Sequence, residues 1–274
     1  MKKKIYTMAL MPLLIAVSSI TVLAASSDGE PQPSDLSNLP IPAPYYGEAP
    51  SGAVDSYIPS EYEQLNELNQ RNSSLTEAQR AMIQQKLSET DSIADEYTAS
   101  TQSTYTMLPG GYTCYAQEQP AYCVAATCQA MMKYLTGTKY SQSVLANAMS
   151  IDPQRGGNFD NLRTYLNANQ SKNAYVARKT NVSLETMKKN LYAAIATYKA
   201  PAALRIVCTT TGGWPYNSNG HALSVSSARD DKSTFVLADP LIGYLTPGKS
   251  GYYEMSASKI HTAVTVNEYC GYIY

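Results

Sequence analysis

Phenylalanine and tryptophan are almost missing, with 2 Phe and 1 Trp against 23 Tyr. Tyrosine packs its ring and keeps its hydroxyl wet, so this skew fits an exposed, secreted surface. Only two histidines are present, His221 and His261, and no cysteine pair has C-x2-C spacing. That leaves no ligand set for zinc, and neither metal nor cofactor is expected. Beyond the N-terminus no apolar run is long enough to span a bilayer. The basic residues are scattered, with no basic run, which argues against nucleic-acid binding.

The 274 residues suffice for one large or two small domains, and 44% are hydrophobic, as in globular proteins. Lys2, Lys3 and Lys4 precede a mostly apolar stretch from Met8 to Val22, followed by small residues. This pattern reads as a signal peptide over residues 1–24, cleaved near Ala24, and places the mature chain outside the cell. Disulfides are then permitted. Five cysteines, at 114, 123, 128, 208 and 270, leave at least one thiol unpaired within the chain. Their pairing cannot be chosen from spacing.

Charge divides the mature chain. Residues 26–105 hold 13 acidic and 3 basic side chains, whereas residues 106–274 hold 9 acidic and 15 basic. The acidic part opens with seven prolines between Pro31 and Pro59, an extended spacer. Two helices follow, opened by capping boxes at Ser60/Glu63 and Thr76/Gln79. The second carries a stripe of Met82, Ile83, Leu87, Ile93 and Tyr97. Residues 25–105 therefore read as an acidic pro-segment docking on a basic domain, or as a tether, and residues 106–274 as the principal domain.

Within that domain helical patterns precede extended ones. Helices are expected over Tyr122–Leu135, ended by Gly137, over Ser141–Met149, around Phe159–Ala168, and after a cap at Ser183. Strands are expected over Ala202–Thr209, Ala222–Ala228, Thr234–Asp239, Tyr252–Met255 and Thr262–Tyr274. This is an α+β class, a helical part packed on an antiparallel sheet.

Cys123 opens the first of these helices. First-turn N–H groups favour a thiolate there. Gln117, six residues upstream, can donate to charge developing on a substrate oxygen. Gln119, beside Pro120, reads as a loop residue. His221 follows Gly220 and enters a strand, so it is a candidate base with a permissive residue before it. His261 has no such setting. A hairpin centred between Asp230 and Asp231 places residue 221 opposite 240, bringing Asp239 near His221 to orient the imidazole. Trp214, in a glycine-rich loop running into His221, is either a substrate wall or a hydrophobic cover.

Gln117, Cys123 opening a helix that ends Leu135-Thr136-Gly137, Gly220-His221 opening a strand and Asp239-Pro240 closing the next resemble a papain-fold cysteine peptidase. The likeness is strongest to the double-glycine-peptidase-like, bacteriocin-processing-type branch, which occurs as stand-alone secreted bacterial domains. It spans about residues 106–274. It implies Cys123 as nucleophile, His221 as base, Asp239 as its orienting partner, Gln117 as oxyanion donor, and a substrate region around Trp214 and Gly220. Val124 stands where many relatives carry glycine or tryptophan. The implied partner is a peptide or protein substrate. A cell-wall amidase or acyltransferase would use the same triad, and a papain-fold binding module would use none of it.

Overall fold

A computed structural model describes residues 75–92, 104–179 and 181–274. The expected signal peptide, the proline spacer and the Ser60/Glu63 helix lie outside the described residues, as do Ile93 and Tyr97. The chain order is α1 (Glu77–Ser92), β1 (Tyr105–Met107), α2 (Cys123–Thr136), α3 (Gln142–Ala148), α4 (Phe159–Asn169), β2 (Ala177–Arg178) and α5 (Leu184–Ala196). It continues with β3 (Ala202–Cys208), β4 (Ser218–Arg229), β5 (Thr234–Ala238), α6 (Pro240–Leu245), β6 (Tyr252–Ser256), α7 (Ala257–Thr265) and β7 (Gly271–Ile273).

The strands form one antiparallel sheet in the order β2-β7-β3-β4-β5-β6, with β1 also paired to β4. β4 is the organising strand. Its first part pairs with β3 and its last three residues with β1, so β1 prolongs the position that β3 occupies.

Alternation along β3 sorts the two cores. Ala202, Leu204 and Ile206 face one apolar cluster with Met187, Leu191 and Ile195 of α5 and Ile260 and Val264 of α7. Ala203 faces the other, with Val124, Cys128 and Met131 of α2 and Leu162 and Leu166 of α4. Period-2 side-chain alternation lets one strand serve both layers, as a sheet covered on both faces requires. Helices on both faces and an antiparallel sheet between them make the α+β arrangement expected from sequence.

α2 ends at Gly137, which takes φ +79° and returns its N–H to the Lys133 carbonyl at 3.0 Å. Ser141, Asn158 and Ser183 cap α3, α4 and α5 through their side-chain oxygens. The Thr76/Gln79 capping box forms reciprocally, with Gln79 Oε1 accepting from Thr76 N at 2.9 Å and Thr76 Oγ1 from Gln79 N at 3.2 Å.

Four expectations change. Thr262–Tyr274 is not one strand. Its first part belongs to α7, capped by Ser256, and Ala257, Ile260, Ala263 and Val264 recur at helical spacing on the buried side. Only Gly271–Ile273 is extended. The stripe on α1 changes in part: among the described residues Met82 and Ile83 are half-buried, as expected, but Leu87 is exposed and the fully buried side chains are Gln79 and Lys86. Gln79 Nε2 donates to the Asn167 and Gln170 carbonyls at 3.0 Å. Lys86 Nζ donates to Asn173 Oδ1, Ala174 O and Tyr274 O at 2.8–2.9 Å and lies 4.4 Å from the Tyr198 ring centre. Burial lowers its pKa to about 7.

The third change concerns tyrosine. Tyr165, Tyr175, Tyr216, Tyr272 and Tyr274 are buried in the core and not spread over an exposed surface. With almost no phenylalanine, tyrosine fills the aromatic core positions, and several of the buried hydroxyls take partners, that of Tyr165 having none among the described residues. Tyr175 donates to the Pro201 carbonyl at 3.1 Å, and Tyr272 accepts from Asn190 at 2.8 Å. The fourth is the hairpin register. Ala228 faces Phe235 and Ser227 faces Val236, but a bulge at Ser226 shifts the pairing to Val225–Leu237 and Ser224–Ala238. Pairing stops at Ala238, so His221 has no partner residue on β5.

Candidate active site

Cys123 is the first residue of α2, and Tyr122 before it makes no side-chain cap. The helix is seated against β4 one turn later, where Thr127 Oγ1 donates to the Ala222 carbonyl at 3.1 Å. That bond fixes the helix that Cys123 opens to the residue next to His221. His221, in β4, is buried and pairs with Ile206 of β3.

Asp239 sits just past β5 and caps α6, with Pro240 as the first helical residue. Its Oδ1 is 2.7 Å from His221 Nε2 and accepts from Leu241 N at 2.9 Å. The carboxylate reaches His221 from a helix cap, not from a paired strand. Tight packing holds it there: Gly251 takes φ +75°, and a Cβ on it would stand 2.6 Å from the Asp239 carbonyl oxygen and 2.9 Å from Cys114 Sγ.

Beyond Asp239, His221 also acts on the Cys123 thiol. With Nε2 on Asp239, Nδ1 is the ring nitrogen left for sulfur. Burial alone would raise the Cys123 pKa. The hydrogen bond and charge of His221 outweigh it, helped by the Ala222 backbone N–H and the Arg205 charge, and hold the thiol below its ordinary value. Burial opposes a charged His221 too, but the Asp239 charge and hydrogen bond push its pKa up to about 10. Asp239 is held below its ordinary value despite burial, through the His221 charge and bonds from His221, Tyr216 and Tyr253. The side chains of Cys123, His221 and Asp239 thus act on one another in that order, an arrangement suited to acyl transfer.

A model of the Peptidase_C39 like family matches residues 110–260. The chain belongs to that family. It is accordingly a cysteine-peptidase hydrolase, and Cys123, His221 and Asp239 all fall within the matched stretch. No curated protein matches the chain. Among solved structures it is similar to the bromelain protease from Ananas comosus in complex with the E64 inhibitor, at 12% identity and TM-score 0.43, covering 64% of this chain and 98% of that one. It is also similar to the Amb a 11 cysteine protease, a major ragweed pollen allergen, in its proform, at 11% identity and TM-score 0.35, covering 80% and 97%.

The peptidase holds Gln117 beside this line in a bracing role. Gln117 N donates to the Pro240 carbonyl at 3.0 Å, tying the loop before Cys123 to the turn after Asp239. Its side-chain Nε2 donates to the Gln119 and Pro120 carbonyls at 3.0 and 2.7 Å, and its Oε1 is buried with no hydrogen-bond partner among the described residues. Both amide protons thus hold the turn that leads into α2. Trp214, 3% exposed, packs in the apolar core. Gly220 is half-buried inside β4, its N–H on Ser218 Oγ at 3.2 Å. His261 lies on α7, with Nε2 2.8 Å from the Val182 carbonyl oxygen, outside the site.

The five cysteines are all free thiols. Burial raises the pKa of Cys114, Cys128, Cys208 and Cys270, and Cys123 alone is lowered. Among the described residues no cluster of His, Cys, Asp and Glu could hold a metal ion.

Two residues at the site carry no sequence signal. Tyr216 and Tyr253 both donate their hydroxyls to Asp239 Oδ2, Tyr253 at 2.8 Å. The Tyr216 ring also stands edge-on to His221, with centres 5.6 Å apart and planes at 89°. In a chain of 23 tyrosines nothing marks these two in advance.

Proposed function

We propose that this chain is a secreted bacterial peptidase of the double-glycine type, cutting peptide bonds through Cys123, His221 and Asp239. The observation that carries the reading is the order of side chains: Cys123 opens a helix bonded to β4 beside His221, and His221 Nε2 stands 2.7 Å from Asp239 Oδ1. The Cys123 thiolate attacks the scissile carbonyl carbon. The Cys123 backbone N–H receives the oxyanion, and Gln117 joins it by exchanging its Pro120 contact for the substrate oxygen. His221 then gives its proton to the leaving amine, and the resulting imidazole activates water to hydrolyse the thioester.

Residues 26–105 act in this reading as an acidic pro-segment. Opposite net charges in the two parts of the chain support it, and such attraction is screened over ~8 Å at physiological ionic strength. A chain starting just before Leu75, which keeps α1, should then be more active than the mature chain at low salt, with the gap closing near molar salt.

The test of the catalytic reading uses the mature chain and a fluorogenic peptide panel that includes Gly-Gly before the scissile bond. Cys123-dependent cleavage is the expected result. Cleavage of peptidoglycan cross-links with no cleavage of any peptide would identify an amidase instead, and labelling of no cysteine by an irreversible peptidase inhibitor would indicate a binding module.

A further inference from the structure

Asp239 is fully buried, and its carboxylate is saturated. Oδ1 accepts from His221 and Leu241 N, and Oδ2 from Tyr216 and Tyr253. Two oxygens thus fill about the four acceptor sites that a carboxylate offers. One tyrosine comes from the loop before β4 and the other from β6, so the carboxylate is clamped from both sides of the strand that carries His221. Buried charge of this kind is retained only when hydrogen-bonded and paired, and His221 supplies the pairing alone.

Resting on the catalytic reading above, we infer that Tyr216 and Tyr253 are positioning residues: their hydroxyls hold Oδ2, keep Asp239 an anion, and so aim Oδ1 at His221 Nε2. Neither touches substrate. They act through Asp239 on His221, and through His221 on the Cys123 thiolate. The other titratable groups facing Asp239 are the thiols of Cys114 and Cys208, both pushed up by burial and by the Asp239 charge, and so neutral.

The sign follows from which state each bond favours. A hydroxyl donor stabilises the carboxylate over the acid, so removing it raises the pKa of Asp239. Once Asp239 takes a proton, the imidazolium loses its counter-charge and the Cys123–His221 pair reverts to thiol and imidazole. The acid edge of thiolate formation must therefore move toward neutral pH.

The experiment follows the rate of Cys123 alkylation by iodoacetamide against pH in the full mature chain and in Y253F, Y216F and the double variant. Tyr253 is only half-buried, so Y253F tests the idea even where Y216F fails to fold. A hydrogen bond to a charged group is worth enough to shift this edge upward by about one pH unit in Y253F, and further in the double variant. A Y253F profile superimposable on that of the unmodified chain would overturn the positioning role, even if the variant melts earlier, because packing loss alone does not move the edge. Absence of acid-side Cys123 alkylation in the unmodified chain would instead overturn the catalytic reading, and this inference with it.

Discussion

Cys123 and Cys128 lie five residues apart on one helix and are chemically opposite. Cys128 is in the middle of α2, buried among Met131, Leu162 and Tyr175, and burial pushes its thiol well up. Cys123 is at the first turn, half-buried, and is pulled down by His221, the Ala222 N–H and Arg205. The helix contributes rigidity to both. What separates them is the seam each faces: an apolar layer for one, and the end of β4 for the other. In the catalytic reading proposed above, reactivity belongs to the junction between helix and sheet, and the residue type alone does not confer it.

The comparison is broken most severely by removing the groups that make it. Cys123→Ala and His221→Ala should each reduce peptide hydrolysis to background while the far-UV circular dichroism is preserved; substantial turnover by Cys123→Ala would end the triad mechanism. Asp239→Ala comes next. General acid–base catalysis contributes about 10²–10⁴-fold, and without its orienting anion His221 should lose about 10²-fold of that. Asp239→Asn should be milder, because its side-chain oxygen can still face Nε2. Steady-state kcat for the pair of variants ranks them, and equal losses would contradict an orienting role.

Gln117→Ala should lower kcat by about tenfold with little change in KM, the signature of an interaction strengthened in the transition state. An unchanged kcat would leave Gln117 as a brace only. Cys128→Ser reverses the emphasis. It places a hydroxyl in an apolar layer and should destabilise the fold by about 1–3 kcal/mol in chemical denaturation, with kcat essentially intact. Loss of activity out of proportion to stability would mean that the two cysteines are not as separate as described. Arg205→Gln should have the smallest effect, a slight upward shift of the thiol visible only in pH-dependent alkylation.

The pH dependence has a definite sign. His221 is raised from 6.5 to about 10, so its stabilisation is complete below 6.5 and is lost as pH climbs through about 10. Asp239 is lowered from 3.8, so its stabilisation is present above 3.8 and is lost as pH falls below that. Both contributions are complete together between 3.8 and 6.5. Thermal melts of the unmodified chain minus those of His221→Ala should therefore show their largest gap there.

The sequence makes the helix start at Cys123, its Gly137 stop and the β4–β5 hairpin readable, because periodicity and glycine act locally. It also brings His221 and Asp239 together, though by a mechanism it does not reveal. The bulge at Ser226 moves the register, and Asp-Pro is an N-cap followed by its first helical residue, where the strand pattern alone implies only an end at Asp239. α7 is missed where β-branched Thr and Val favour an extended reading, although Ser256 followed by Ile260, Ala263 and Val264 carries helical spacing. Tyr216 and Tyr253 are illegible for a different reason. Their role depends on three separate segments meeting at one carboxylate, and no local pattern encodes that. The stripe on α1 shows the same limit, since Lys86 is buried by distant carbonyls from residues 173 to 274.

The most direct test is selective alkylation of the mature, folded chain at about pH 6, followed by peptide mapping. Iodoacetamide should label Cys123 and leave Cys114, Cys128, Cys208 and Cys270 unmodified, and His221→Ala should abolish that labelling. Labelling of Cys123 only above about pH 8, as for an ordinary thiol, or equal labelling with and without His221, would contradict a thiolate held by His221 at the end of α2.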